Sequence, residues 1–483
     1  MRDRCRIGKG VKPIFFCAIV SALILSNLNA QDIFNTKQAV PSNPGSPLIS
    51  ETNVPSGLSG QPLKLEEAIE RALYYNPATR QQWANIKVRA AGVGLGYSAY
   101  LPTLNGQLQG TRQISATDVH GFPQLNSNSS AYTNMESVSL SWVLYDFGGR
   151  AGGLKNAKEL LLAAQANHEA ALRDVFAAVT KDYYAAQAAQ GTVVTTAENE
   201  NIAEQSYKVA VQRVDKGVSP ISDELQANTA YIQAKIDRTK AEGDARIAIG
   251  TLASDMGFRP DMPILLPKVD DVVQPDKAFQ SSIAELMEDA IMHYPSVRAA
   301  EAEYLAAEAK VRQVRGQGLP SVSLIAKSQR SDQPLNAEVG VSSFDATETQ
   351  SYVGAQVSVP LFDGFSTDYQ IRQAQAQVEV QRYALDRAKQ RVGLDVWSSY
   401  QLLQEAAKNL INNAKLLDIA QQSFAAAQSR YESGVGTMTE RLNAQTALAS
   451  ARLQWIRTLT DWRTSRLQLA AKLGTMGAWW IGQ

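Results

Sequence analysis

The sequence carries one ordered set of motifs twice, and this duplication limits the possible folds more than any other feature. Each second copy follows its first by 217 or 218 residues (434 − 217 = 217; 294 − 76 = 218). The pairs are Asn76-Pro77 with Tyr294-Pro295, Leu101-Pro102 with Leu319-Pro320, Leu144-Tyr145-Asp146 with Leu361-Phe362-Asp363, and Arg213, Gly217, Val218 with Arg430, Gly434, Val435. Chance matches would scatter, so the near-constant offset predicts two copies of one structural unit.

Each copy has the same order of predicted elements. A helix comes first, over Leu65–Tyr97 or Ile283–Arg315, and a proline closes it because the residue before proline avoids the α region. Two strands follow, then a very long helix, a Gly-Val turn and a return helix. The strands are predicted at about 103–113, 136–145, 321–330 and 351–362.

The two long helices exclude a compact globular domain. They are predicted from about Leu154 to Val214 and from about Thr367 to Tyr431, in segments rich in strong helix formers. At 1.5 Å per residue each spans roughly 90–100 Å. Rods of this length must pack on one another as a bundle or coiled coil. The fold class predicted is therefore mainly α, with a small β portion.

The first thirty residues have the layout of a secretory signal peptide. A basic segment precedes the apolar run Ile14–Leu25, and Ala30 offers a small residue for cleavage. The two cysteines, Cys5 and Cys17, both lie in this segment. Cys17 could instead be acylated, but Phe15-Phe16 is bulkier than the residues expected before a lipidated cysteine. Cleavage after Ala30 is the preferred interpretation.

Composition places the remaining boundaries. The predicted divisions are a signal peptide (1–30), a flexible leader without its own core (31–60), a first repeat (61–250), a proline-rich linker (251–280), a second repeat (281–474) and a C-terminal tail (475–483).

The predicted strands alternate apolar and polar residues, so that each has one apolar face. The apolar positions are Val138, Leu140, Trp142 and Leu144 in the first copy and Val357, Val359 and Leu361 in the second. Such a sheet could cover a soluble core. The export signal favours a membrane barrel in contact with outer-membrane lipid, whose strands show the same alternation. Four strands cannot close a barrel, so this interpretation requires an oligomer; a trimer supplies twelve.

The order of helix, strand pair, long helix, Gly-Val turn and return helix, occurring twice, resembles the TolC family of outer-membrane factors. The most specific segment is Arg430–Thr437 running into Leu442–Gln445. The resemblance implies a homotrimer with a twelve-stranded outer-membrane barrel on a twelve-helix periplasmic tunnel. It also implies two partners, a periplasmic adaptor protein and an inner-membrane ABC or RND pump.

The same resemblance implies roles for residues near the two Gly-Val turns. Asp223, Tyr431, Glu440 and Asn443 match positions of the tunnel's gate and entrance. The turns Gly217-Val218 and Gly434-Val435 match the adaptor-binding tips. Purely structural roles remain open, since glycine commonly ends helices and acids favour helix N-termini. The chain departs from the family pattern at Gly436, where an arginine is expected, and at Asn443, where an acid is expected.

No other function class is supported. The formal net charge of +0 does not favour nucleic acid as a partner. No cofactor, metal site or catalytic activity is predicted, because His120, His168 and His293 lack metal-ligand spacing, and His168 is expected to be exposed. The favoured interpretation is a passive export conduit for a secreted polypeptide or small toxic molecules. The alternative is a periplasmic adaptor or structural protein without a pore.

Overall fold

The computed structural model describes residues 32–46, 48, 61–267, 283–335 and 344–473. The predicted signal peptide and C-terminal tail lie outside these residues, as do most of 47–60 in the leader and 268–280 in the linker. None of the helices within the described ranges has a segment long and apolar enough to cross a bilayer.

The described chain forms long helices and one sheet. The helices are α1 (Leu65–Tyr75), α2 (Pro77–Ser98), α3 (Gly149–Asp215), α4 (Ile221–Asp255), α5 (Ile283–His293), α6 (Pro295–Gln317), α7 (Ser366–Glu432) and α8 (Met438–Leu473). The strands are β1 (Thr103–Thr117), β2 (Ser127–Tyr145), β3 (Ser321–Leu335) and β4 (Phe344–Ser358).

The first helix of each copy is two helices, which corrects the single helices predicted. The breaks fall at Asn76 and Tyr294, whose backbones are extended (ψ 131° and 133°) immediately before proline. Proline restricts the preceding residue and lacks the N–H of a continuous helix. Asn76 also starts α2, because its side-chain oxygen accepts a hydrogen bond from the N–H of Ala78 at 2.8 Å.

The helices form a layer about four helices wide. α3 and α7 have 67 residues each, or roughly 100 Å, and run from the sheet to the Gly-Val turns. In the half of the layer near the sheet, the helices lie side by side in the order α2, α3, α6 and α7. In the half near the turns, the order is α4, α3, α8 and α7. The two copies therefore meet in the middle of the layer, where α3 packs on α6 and α8.

Glycines permit the closest of these helix contacts. A Cβ atom added to Gly316 would lie 2.5 Å from the Cα of Gly149, and one added to Gly152 would lie 2.5 Å from the backbone N of Gln313. α3 and α6 thus meet backbone to backbone near the sheet, which fixes how the first copy joins the second.

The four strands form one antiparallel sheet in the order β1-β2-β3-β4. Pairing extends beyond the predicted bounds, because β1 continues past 113 to Thr117, β2 starts at Ser127 instead of 136, β3 continues past 330 and β4 starts at Phe344 instead of 351. β4 ends at Ser358, so Val359 and Leu361 lie beyond the strand, contrary to prediction. Pro360, two residues after the end of β4, has no N–H to donate to a neighbouring strand.

Residues 32–46 form a strap along the helices rather than the flexible leader expected. Three side chains hold its backbone carbonyls. Trp83 donates to Pro41 at 2.8 Å, Gln165 to Ala39 at 2.7 Å and His168 to Pro44 at 2.8 Å. His168 is 1 % exposed, so its predicted exposure is wrong. Burial lowers the pKa of His168, which favours a neutral ring whose Nε2–H donates to the strap.

Candidate functional site at the helical turns

Two glycines end the long helices with the same backbone geometry. Gly217 has a φ of +69° and Gly434 a φ of +75°, in the left-handed region. In both turns the next residue donates back across the turn: Val218 N to Arg213 O at 2.8 Å, and Val435 N to Arg430 O at 3.0 Å. This is the hydrogen bonding of a glycine-ended helix. The predicted structural role of both glycines is present.

The turns present valine side chains at the end of the helical layer. Val218 is 63 % exposed and Val435 is 70 % exposed. Both predicted turns thus offer small apolar surfaces at the tip, in equivalent positions of the two copies.

Tyr431 lies at the centre of the turn end and is 2 % exposed. The guanidinium carbon of Arg213 is 4.8 Å from its ring centroid, and that of Arg441 is 5.4 Å away. Arg213 also donates to the carbonyl of Tyr431 at 2.9 Å. Ala210, Ala227 and Met438 complete a small apolar cluster around the ring. The cluster joins α3, α4, α7 and α8.

Glu440 makes an ion pair within the second copy. Its Oε1 lies 3.1 Å from Nε of Arg430, and its backbone N–H donates to Oγ1 of Thr437 at 3.1 Å. Thr437 therefore caps α8. Glu440 is exposed, so its carboxylate is available to solvent at the turn end of the helical layer.

The other two sequence-predicted gate residues add no polar bond to this group. Asp223 is half-buried in the first turn of α4, and Asn443 is exposed on α8. Within the described residues neither forms a hydrogen bond or ion pair with Tyr431 or Glu440. The four predicted gate residues thus lie near the same turn end, but Tyr431 and Glu440 are held by different partners, Arg213 and Arg441 for the first and Arg430 for the second.

Arg213 and Arg441 were not predicted as site residues. The duplicated motif could have indicated Arg213, because this residue recurs as Arg430, but the motif does not show that Arg213 contacts the other copy. The duplication gives no indication of Arg441, because its equivalent in the first copy is Glu224 (441 − 217 = 224). Burial lowers the pKa of Arg441, which is 4 % exposed.

The sheet is the second candidate site, and its two faces differ in chemistry. Val138, Leu140 and Trp142 share one face with Val357, while Ser137, Ser139 and Ser141 share the other. One row across the apolar face consists of Leu104, Leu140, Ala326 and Val353. Leu144 lies at a bulge between Val143 and Tyr145 and is also exposed. The described chain leaves this apolar face uncovered.

Comparison with known sequences identifies the fold's family. The sequence profile described as outer membrane efflux protein matches residues 68–257 and 286–475, once in each copy. Protein CyaE of Bordetella pertussis is 31 % identical over 415 residues, covering 86 % of this chain and 85 % of that protein. The chain belongs to the outer membrane efflux protein family. Membership places it in the outer membrane with a function in export, and confirms the resemblance inferred from the motifs.

More distant proteins match the chain in sequence or in fold. The solvent efflux pump outer membrane protein SrpC of Pseudomonas putida is 24 % identical over 420 residues, covering 87 % of this chain and 86 % of that protein. The CmeC outer membrane channel of Campylobacter jejuni superposes with a TM-score of 0.73 at 15 % identity, covering 89 % of this chain and 93 % of that structure. The fold therefore persists where sequence identity is low. The family supports an export channel over an adaptor without a pore.

Proposed function

We propose that three copies of this chain form one passive channel that carries export substrates across the outer membrane. The observation that carries the proposal is the four-stranded sheet, whose apolar face is exposed and whose outer strands β1 and β4 pair on one side only among the described residues. A sheet with free edges is unstable in lipid, whereas a closed barrel is not. Three sheets joined edge to edge give twelve strands.

The flanks of the helical layer support the same assembly. α4 lies at one flank near the turns and α7 at the other. Both carry large exposed apolar side chains: Ile221, Leu225, Ile232, Ile236 and Ile247 on α4, and Tyr369, Tyr383, Leu394, Trp397, Ile411 and Ile419 on α7. Two different surfaces that bind each other give a head-to-tail contact, which forms a ring when the rotation between subunits closes after three copies. Three layers of four helices make a twelve-helix tunnel.

The turn end supplies the gate and the docking surface in this proposal. Asp223, Tyr431, Glu440 and Asn443 surround the entrance, and Gly217, Val218, Gly434 and Val435 bind the hairpin of a periplasmic adaptor. The adaptor connects the tunnel to an inner-membrane ABC or RND pump. The exposed valines and the equivalence of the two turns support this assignment, because an adaptor could then use similar contacts at both.

The cargo is a secreted polypeptide or a small toxic molecule. Protein export and solvent tolerance can be measured in the same deletion strain, with and without the gene. Rescue of one activity alone identifies the cargo class.

The membrane assignment is tested with two neighbouring substitutions on opposite faces of β2. Leu140→Asp puts a charge on the apolar face, and Ser139→Asp puts the same charge on the hydroxyl face. A carboxylate facing lipid opposes insertion, while one facing the lumen is tolerated. We expect the Ser139→Asp protein to insert and give discrete conductance steps in planar bilayers, and the Leu140→Asp protein to fail. A soluble wild-type monomer, or equal behaviour of both variants, would contradict the barrel.

A further inference from the structure

We propose that Tyr431 locks the closed turn end through the face of its ring, held by Arg213 and Arg441, and not through its hydroxyl group. The inference rests on the proposed gate and assigns its lock to particular atoms. The family resemblance implies only that Tyr431 belongs to the gate, and the contact through which it acts comes from the geometry of this chain.

The geometry joins three helices at one side chain. Arg213 comes from the last turn of α3, Tyr431 from the last turn of α7, and Arg441 from the first turn of α8. The two guanidinium carbons lie 4.8 and 5.4 Å from the ring centroid, within range of a cation–π contact. The 2.9 Å hydrogen bond from Arg213 to the carbonyl of Tyr431 reinforces the link between the two copies.

The hydroxyl group does not contribute a bond to this link. The Oη atom of Tyr431 is buried and has no hydrogen-bond partner among the described residues. A buried hydroxyl without a partner costs free energy rather than supplying it. Nε and Nη1 of Arg441 are likewise buried without a partner in the described chain. The guanidinium meets the ring face and interacts electrostatically with Glu432.

The second copy shows what Arg213 would do if it followed the repeat. Its equivalent, Arg430, pairs with Glu440 (430 − 213 = 217), and the equivalent of Glu440 is Asp223 (440 − 223 = 217). Within the described residues Arg213 does not pair with Asp223 but reaches Tyr431 in the other copy. The position equivalent to Tyr431 is Val214, so the contact cannot be made in the reverse direction.

Gly436 fits the same arrangement. A Cβ atom there would lie 3.0 Å from both Cβ of Arg430 and the backbone N of Tyr431. Any side chain at this position would press on the segment that holds the ring. A glycine at position 436 therefore lets the backbone fold closely against the end of α7, directly beside the residue whose ring makes the contact.

The decisive experiment compares Tyr431→Phe with Tyr431→Leu, and Arg213→Gln with Arg452→Gln. Arg452 is the matched control because its 3.2 Å ion pair with Glu198 also joins the two copies but lies away from the turns. Resting conductance of purified trimers is measured in planar bilayers, and hydrogen exchange is measured at 214–220 and 431–437. Phenylalanine keeps the ring face, so its conductance and protection should stay within about twofold of wild type. Tyr431→Leu and Arg213→Gln should raise resting conductance and exchange about tenfold, while Arg452→Gln changes both far less.

Two results would overturn the proposal. If Tyr431→Phe conducts at rest and exchanges hydrogen as strongly as Tyr431→Leu, then the hydroxyl group makes the link. Wild-type protection in Tyr431→Leu and Arg213→Gln would show that the contact holds nothing. Hydrogen exchange also distinguishes failure of this proposal from failure of the proposed channel. If the variants exchange faster at the turns but no variant conducts, the Tyr431 contact is supported and the channel is refuted.

Discussion

The turn between α3 and α4 and the turn between α7 and α8 share a backbone but use their arginines differently. Both end a 67-residue helix with a glycine at a φ near +70° and the same hydrogen bond across the turn. In the second turn, Arg430 pairs with Glu440 in its own copy. In the first, Arg213 crosses to Tyr431 in the other copy. Duplication has thus preserved the backbone, while the side chains between the copies have diverged.

The difference has a physical origin. A turn's backbone depends on local hydrogen bonds and one glycine, which each copy carries for itself. A side chain at the boundary between the two copies contacts residues of the other copy. Because each copy contacts different residues at that boundary, its side chains face different partners. Symmetry is therefore expected in the turns and asymmetry in the contacts between them, and each of the following changes tests one side of that contrast.

The largest effect should come from removing the shared glycine conformation. Gly217→Val and Gly434→Val each force a β-branched residue into the left-handed region, at a cost of about 1–3 kcal/mol. Export should fall at least about tenfold in both variants while trimers still assemble, because the distortion is confined to the tip. Gly243→Ala, in open space on α4, is the control and should export normally. Normal export with valine at either turn would remove that turn from the docking surface.

The next effect concerns the acids that follow the turns. Glu440→Gln and Asp223→Asn each remove one negative charge per chain, and the glutamine leaves Arg430 without its partner. We expect the preference for cations to fall about threefold in bilayer reversal potentials, since acidic rings favour cations in pores. Unchanged selectivity in Glu440→Gln would exclude Glu440 from the filter.

A smaller effect contrasts the far ends of the return helices. Burial raises the pKa of Asp255 to about 7, and Asp182 acts in the same direction. At the equivalent position of the second copy, Lys472 instead pairs with Asp395 at 3.1 Å (472 − 255 = 217). Because the folded pKa of Asp255 lies above the unfolded value, its contribution lowers stability as pH rises from about 4 through 7.

Asp255→Asn should therefore flatten the decrease of Tm with pH between about 4 and 7, by about 2 °C. Asp261→Asn, an exposed acid paired with Arg259 nearby, should leave the slope unchanged. Equal slopes for wild type and Asp255→Asn would show that the carboxyl titrates alike in the folded and unfolded chain.

The smallest effect tests the start of α8. Thr437 caps this helix, and its repeat equivalent, Pro220, offers α4 no side-chain cap (437 − 217 = 220). Thr437→Ala should cost about 1 kcal/mol locally. Faster hydrogen exchange at 438–441 would report the loss, while Pro220→Ala should leave exchange at 221–224 nearly unchanged. Identical responses at the two sites would mean that the cap contributes nothing.

Much of the architecture follows from the sequence because its signals are local and repeated. The long helices begin and end within about six residues of their predicted bounds, and the apolar faces of β2 and β4 were apparent from alternation. The helix break at Asn76 was missed although the proline was noted, since one proline can end a helix or begin one. Val359 continues the alternation of β4, but pairing stops before it.

The contacts that could not be predicted are those between distant segments. Arg213 meets Tyr431 across 218 residues, and His168 meets Pro44 across 124. No periodicity or composition encodes such pairs. A polar residue on a helix is predicted to be exposed unless the segment that covers it is known. For this reason His168 was wrongly predicted to be exposed, and Arg441 was not recognised as a site residue.

The strap carries an evolutionary consequence. Three hydrogen bonds anchor the strap, and their acceptors are the backbone carbonyls of Ala39, Pro41 and Pro44. Every amino acid has such a carbonyl. Selection can therefore keep the path of the strap while most of its side chains change, provided that the donors Trp83, Gln165 and His168 are retained. The exception is Phe34, whose ring stacks on that of Tyr97 with the ring centroids 5.5 Å apart. Relatives should therefore show a largely variable N-terminal segment beside constant donor positions on α2 and α3.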